Sequence, residues 1–222
     1  MANASTTGFG FRMAEMLGNT PATQGQSKYL IETAPGVGLY QNNPVSRQDS
    51  GGAQGYLQDV SFATTDDGGT GGASYTTASH ALLVGVLNGV FYVADTTKKP
   101  TWAGCVAAST AFATNPNTNS TDGWGFVNDA PLQEYIVKCD AAVTQAMRGT
   151  CFNTNNFSAG SAKDCQSTVT LDISGATAAE TMMFRVVRSA EDPENQDITA
   201  AGLNAVVVMN GAANLYTNGR DS

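Results

Sequence analysis

A single histidine, His80, limits what chemistry this 222-residue chain could perform, because a hydrolytic triad or a zinc site would have to use it. It stands where a polar segment turns into the apolar run Ala81 to Val93, and neither a G-x-S-x-G elbow nor an H-E-x-x-H helix accompanies it. It reads as a hydrogen-bonded histidine at a strand edge. Cys105, Cys139, Cys151 and Cys165 show none of the short paired spacings that zinc and redox sites use. Cys151 and Cys165 flank a polar insertion, Asn153 to Asp164, and a bridge closing it would contribute roughly 3 kcal/mol in the loop-entropy model. Synthesis in a reducing cytosol favours packed thiols instead.

Two carboxylate groups remain. Asp66-Asp67 lies in a Gly-rich segment, and Glu191, Asp192, Glu194 and Asp197 follow Arg185 and Arg188. Neither group has the D-x-[DN]-x-[DN]-G spacing that wraps six to eight oxygens around calcium, so both read as solvated turns. The acidic turn is placed to pair with Arg185 or Arg188, or with basic residues of a neighbouring chain. Paired acids for glycoside cleavage leave no spacing signature, so a virion glycan-degrading enzyme ranks only as a distant alternative. The sequons at Asn3, Asn119 and Asn156 read as chance in an Asn-rich chain. The expectation is of no catalytic, cofactor-binding or metal-binding residues, hence no enzyme and no cofactor.

Composition narrows the partners. Only 14% of residues are charged, against roughly 25% in ordinary soluble proteins, so the surface is mostly neutral and polar. The net charge is −8 and the Lys and Arg residues are scattered, so no basic stripe could follow a phosphate backbone; nucleic acid is not an expected partner. No apolar segment approaches the roughly 20 residues of a membrane span, and the first residues show no secretory pattern, which points to synthesis in a cytosol and no membrane. A Thr/Asn-rich, lightly charged surface without an export signal suits a virion component, assembled in a host cytoplasm and released by lysis.

The elements follow from periodicity and punctuation. Leu82 to Val93 is β-branched, aromatic and uncharged, with Gly85 and Gly89 disfavouring helix by roughly 1 kcal/mol each. Asn88-Gly89 makes it either two strands joined by a tight turn or one long strand bulged there. Leu83, Val84, Val86, Val90, Tyr92, Phe126, Ile136, Phe184, Val186 and Val207 are the expected core positions, and Tyr92 and Trp102 the expected cross-strand neighbours. Period-two segments at 28–32, 39–41, 45–47, 55–62, 123–127, 133–139, 168–174, 182–190 and 203–210 are separated by Pro and Gly turns, with loops at 64–74 and 114–122. Asp140 and Gly149 bracket one short capped helix at 141–148. The fold class is all-β: an antiparallel sandwich or barrel forming one domain at 27–222, preceded by an extended N-terminal arm at 1–26. Phe9, Phe11, Arg12, Met13 and Met16 are that arm's candidate contacts. Burying them would yield on the order of 8–15 kcal/mol, close to the entropy of ordering the segment, so the arm is expected to stay mobile without a partner or further backbone hydrogen bonds; the alternative is a frayed terminus.

Met1-Ala2-Asn3-Ala4-Ser5-Thr6-Thr7-Gly8-Phe9-Gly10, Gly85-Val86-Leu87-Asn88-Gly89-Val90-Phe91-Tyr92 with Lys99-Pro100-Thr101-Trp102, and Phe184-Arg185-Val186-Val187 with Glu191-Asp192-Pro193-Glu194-Asn195 together resemble a family of marine tailed-phage structural proteins. The cysteines and the segments near 64–74 and 153–164 lie outside the resemblance. It implies a head-associated virion protein, a capsid decoration or cement protein on the outer capsid surface, with the major capsid protein as partner. Copies are expected to associate, as a homotrimer at local threefold points, with Arg185, Arg188, Glu191, Asp192 and Glu194 facing subunit contacts or pairing within the turn. The main rival is a receptor- or glycan-binding tail or fibre module, which would need exposed aromatics such as Trp124 or Tyr56 over a groove.

Overall fold

The structure is a computed structural model that describes residues 3–18, 25–48, 55–60, 83–155, 160–174 and 182–218. His80, Asp66-Asp67, the loop at 64–74 and Asn156 lie outside the described residues. The chain opens with β1 (Arg12–Met16), then four short strands cut by Pro and Gly turns: β2 (Ser27–Ile31), β3 (Leu39–Tyr40), β4 (Pro44–Arg47) and β5 (Leu57–Asp59). The apolar run forms β6 (Leu83–Val93), followed by β7 (Pro100–Ala103), β8 (Cys105–Val106), β9 (Gly123–Asn128) and β10 (Gln133–Lys138). Short pieces come next: β11 (Cys151–Phe152), β12 (Thr154–Asn155), β13 (Gly160–Ser161), β14 (Gln166–Ser167) and β15 (Thr170–Leu171). The last strands are β16 (Phe184–Ser189) and β17 (Asn204–Met209), with a one-turn helix α1 (Leu215–Asn218).

Two antiparallel sheets make a sandwich, and neither closes into a barrel. The first runs β1-β10-β17-β16-β11; the second runs β2-β9-β6-β4-β5, with β7 added on β6. The first core cluster lies between them, built from Tyr135, Val137, Phe184, Val186, Val207 and Met209 of the first sheet against Leu83 and Val86 of β6. The second sheet curls until β2 and β5, at opposite ends of its order, touch. Inside the curl sits the second cluster, Ile31, Leu39, Val45, Leu57, Val84, Leu87, Val90, Val106, Phe112 and Val127. Gly125 makes that curl possible, because a Cβ there would stand 2.5 Å from a Leu57 methyl and 3.2 Å from one of Ile31. At Gly85 a Cβ would collide with the Asn128 carbonyl oxygen.

The Asn88-Gly89 ambiguity resolves as one continuous strand with a bulge, where the pairing of β6 with β9 shifts between Leu87 and Gly89. A hairpin there would have removed the strand that both clusters use. Several expectations are corrected. Phe126 and Ile136 are half-buried on outer faces, because each strand's inward positions are Val127, Tyr135 and Val137. Tyr92 is half-buried, stacked on Phe112 at 4.7 Å, and pairs with Thr101; Phe91 is the residue opposite Trp102. The helix at 141–148 shrinks to a 3-10 turn at Gln145–Met147. Asp140 does not cap it: its Oδ1 accepts from the Ile173 and Ser174 amides (2.7 and 3.1 Å) and its Oδ2 from the Ser174 hydroxyl (2.7 Å).

The N-terminal segment finds within the fold the further backbone hydrogen bonds that its order requires. Asn3 donates to the carbonyls of Asp197, Ala200 and Ala201 (3.1, 3.2 and 2.9 Å) and accepts from the Asp197 amide (2.9 Å). Further along, the Gly10 and Phe11 amides donate to Val169 and Asn42 carbonyls, and β1 then pairs with β10 as an edge strand. Backbone partners within the fold supply what apolar burial alone could not, so residues 3–16 belong to the β domain.

Disulfide bonding departs from both readings. Cys105 and Cys165 are bridged across a separation of 60 residues, while Cys139 and Cys151 are free and buried. The reason is topological: β8 pairs with β3, and the Gln41 amide donates to the Cys165 carbonyl (3.0 Å), which brings the 160–167 hairpin onto Cys105. Cys151 sits in β11 at the far edge of the first sheet. Burial, and secondarily the charge of Asp140, push the Cys139 thiol up to about 12, which makes it a packing group at neutral pH.

Candidate docking surface

The second sheet is covered on one face by the second cluster, and its other face leaves the sandwich partway along. Near Asn128, Leu83 and Val86 that face is packed on the first sheet: Asn128 contacts Met13 and accepts from the Tyr135 hydroxyl at 3.2 Å. Two and four residues earlier on β9, Phe126 and Trp124 stand on the same face but beyond the cover, half-exposed.

Register builds them into a ladder. Leu30 of β2 is opposite Trp124 of β9, Trp124 is opposite Phe91 of β6, and Phe91 is opposite Trp102 of β7. Directly paired residues share a face, so four apolar side chains cross four strands in one row, roughly 14 Å at about 4.8 Å per strand. Lys28 and Phe126 form the next row, opposite each other, and Gly89 follows Phe126. Because Gly89 has no side chain to intervene, Trp102 leans across β6 and stacks on Phe126 with centroids 4.7 Å apart and planes 30° apart. Phe91 lies 5.0 Å from the same indole. Trp102 remains 67% exposed, its second face open to water. Lys28 borders the patch, its ammonium 5.2 Å from the Trp124 ring centre. Chemically this is an apolar aromatic patch with one cationic edge, its Phe126 and Phe91 rings tilted 30° and 53° to the Trp102 indole, suited to packing against another surface.

The residues expected to make contacts are placed elsewhere. Phe11 is fully buried, stacked on Phe184 at 4.1 Å and edge-on to Tyr135 at 6.4 Å, so it offers nothing to a partner. Phe9 is half-buried beneath the Arg12 guanidinium (4.4 Å), with the Lys138 ammonium 5.7 Å away. Met13 packs inward against the first cluster, and Met16 is half-buried at the end of β1.

Nor does the acidic turn pair with the arginines. Arg188 reaches across β17 to Glu134, donating at 2.6 Å to a carboxylate that is 1% exposed, with Glu15 at 3.8 Å. Arg185 donates to Asn210 (3.1 Å). The turn closes on itself: the Asp192 carboxylate accepts from the Asn195 side chain (2.9 Å), the Glu194 amide (3.0 Å) and the Asn204 side chain (2.6 Å). Those donors hold its pKa below the ordinary 3.8, the Asn195 bond first. Glu191 and Glu194 are exposed.

A second feature lies at the mouth of the curl, where β2, β4 and β5 end around a pocket of about 210 Å³. Leu39 and Leu57 of the second cluster and Pro35 form its floor, and Glu32, Gln48 and Gln58 its polar rim. No group of three or more His, Cys, Asp and Glu placed to hold a metal occurs among the described residues. No described helix is long and apolar enough to cross a membrane. Comparison of the chain with family models, with curated proteins and with solved structures finds no match.

Proposed function

We propose that this chain is a non-enzymatic virion structural protein, a decoration protein on the outer surface of a tailed-phage head. Its partners in this reading are the major capsid protein and copies of itself, arranged as a homotrimer, and it is made in the host cytoplasm. Neither nucleic acid nor a membrane is a partner. The observation that carries the proposal is the aromatic ladder of Trp124, Phe91, Phe126 and Trp102, an exposed apolar patch in a chain with few charges. Such a patch has a clear use in a protein that acts by adhesion. A footprint spanning neighbouring capsid subunits exists only on the assembled, expanded shell, and binding then stabilises that state by mass action. The docking role expected of the N-terminal segment passes to the ladder, since Phe11 is committed to the core.

The test is Trp102→Ala with purified expanded heads. A tryptophan 67% exposed has roughly 160 Å² to bury, worth at most about 4 kcal/mol at 25 cal/mol per Å². Loss of even half of that raises Kd about 30-fold, while the lost contacts with Phe126 and Phe91 lower the thermal midpoint of the free protein by only a few degrees, about 2–4 °C per kcal/mol. Full-strength binding by the variant would refute the ladder as the docking face. Hundreds of copies per particle, by quantitative mass spectrometry, support decoration, whereas a handful per particle favours the tail or fibre reading. That second reading also draws on the ladder, because flat aromatic faces stack on sugars, and a glycan array separates the two.

A further inference from the structure

We propose that the pocket at the mouth of the curled sheet binds one ring of a neutral sugar. The inference stands apart from the decoration reading, because the pocket belongs to the opposite face of the second sheet from the ladder.

Its walls are built before any ligand arrives. On one side the segment after β2 is tied down by hydrogen bonds from the Ala34 amide to the Thr110 carbonyl (2.9 Å), from the Ser109 amide to the Pro35 carbonyl (2.7 Å) and from the Phe112 amide to the Thr33 hydroxyl (2.8 Å). Ala34 is held there at φ +54°, a left-handed conformation that costs a non-glycine residue energy and that these bonds maintain. On the other side the Gln48 amide donates to the Tyr56 carbonyl and the Gly55 amide to the Gln48 carbonyl, both at 2.9 Å. Mouths of barrel-like sheets are where such folds place small ligands.

The chemistry of the lining selects the ligand class. About 210 Å³ is below the roughly 300–1,000 Å³ that encloses a drug-sized molecule and suits a single ring. The floor of Leu39, Leu57 and Pro35 is apolar and matches the C–H face of a pyranose. Above it, the Glu32 carboxylate accepts hydrogen bonds and the Gln58 amide both donates and accepts, and neither side chain has a hydrogen-bond partner among the described residues. That set reads adjacent hydroxyls. Among the described residues the lining contains no Lys or Arg to hold an anion and no aromatic ring to cage an ammonium group.

The experiment is saturation-transfer NMR on the intact protein with glucose, galactose, N-acetylglucosamine and rhamnose, each at about 10 mM, the range in which single-ring sites bind weakly. The expected result is transfer to the C–H protons of at least one of them. Its Kd rises at least tenfold in Glu32→Ala and Gln58→Ala, rim changes that leave the melting temperature in place, and is unaffected in Trp102→Ala. No transfer from any of the four sugars overturns the proposal. So does transfer that survives the Glu32→Ala, Gln58→Ala double variant, or that disappears in Trp102→Ala, which would move the site to the ladder. Head binding by the double variant, expected to match the unaltered protein, keeps this result separate from the decoration reading.

Discussion

Replacing Phe11 by Ala asks whether the first sixteen residues are an appendage or part of the core. The side chain is fully buried, stacked on Phe184 and edge-on to Tyr135. A buried Phe→Ala change costs about 3–5 kcal/mol in lost transfer energy and cavity, and the lost aromatic pairs push the expectation to the middle of that range, about 4 kcal/mol. Against a typical domain stability of about 5–15 kcal/mol the variant still folds, with little in reserve. Urea unfolding followed by tryptophan fluorescence is the assay. With a slope of about 2 kcal/mol per molar, the midpoint falls by about 2 M and the slope itself holds. Phe9→Ala is the internal control: half-buried beneath Arg12, it is expected to cost about 1 kcal/mol. A mobile arm gives the opposite pattern, both changes within about 0.5 kcal/mol of the parent. A Phe11→Ala loss below about 1 kcal/mol would refute the packing argument and return the segment to a partner-binding role.

The remaining expectations are simpler. Cys165→Ser opens a loop of 60 residues and lowers stability by up to about 4 kcal/mol in the loop-entropy model, read as the same loss when the unaltered protein is unfolded with and without reductant. For Asp192 the folded pKa lies below the ordinary 3.8, so its contribution to the 191–197 turn is complete above that value and is lost as pH falls through the depressed one. NMR titration of the Glu194 amide should show a midpoint below 3.8, and Asp192→Asn should abolish the transition. A midpoint at or above 3.8 would refute the hydrogen-bond account.

Strand positions were legible where punctuation and alternation agree. Pro35-Gly36 and Asn43-Pro44 cut β2 to β4 as expected, and the uncharged run became the longest of the described strands. Faces were harder. In Gly123-Trp124-Gly125-Phe126, Phe126 looks like core and the glycines like filler, yet the glycines point inward, where Leu57, Ile31, Leu87 and Phe112 occupy the space a side chain would need. Alternation of Gly with aromatics was the available signal, and it carries no sign of which face is wet. Phe11 was misjudged because its backbone partners, Val169 and Asn42, are distant in sequence. Asp140 failed as a cap for a related reason: a short carboxylate serves whichever amides tertiary structure delivers, and here those of Ile173 and Ser174 arrive. The Cys105–Cys165 bridge depended on β3-β8 pairing, which two-residue strands do not announce.

One strand belongs to both clusters: β6 gives Leu83 and Val86 to the first and Val84, Leu87 and Val90 to the second, its alternation interrupted by register shifts at Val84 and at Asn88. Neither half of the molecule is then expected to melt while the other persists, since losing one set of contacts frees the strand that anchors the other. Loss of either core is therefore expected to take the other with it, as one transition seen alike by tryptophan fluorescence and far-UV circular dichroism.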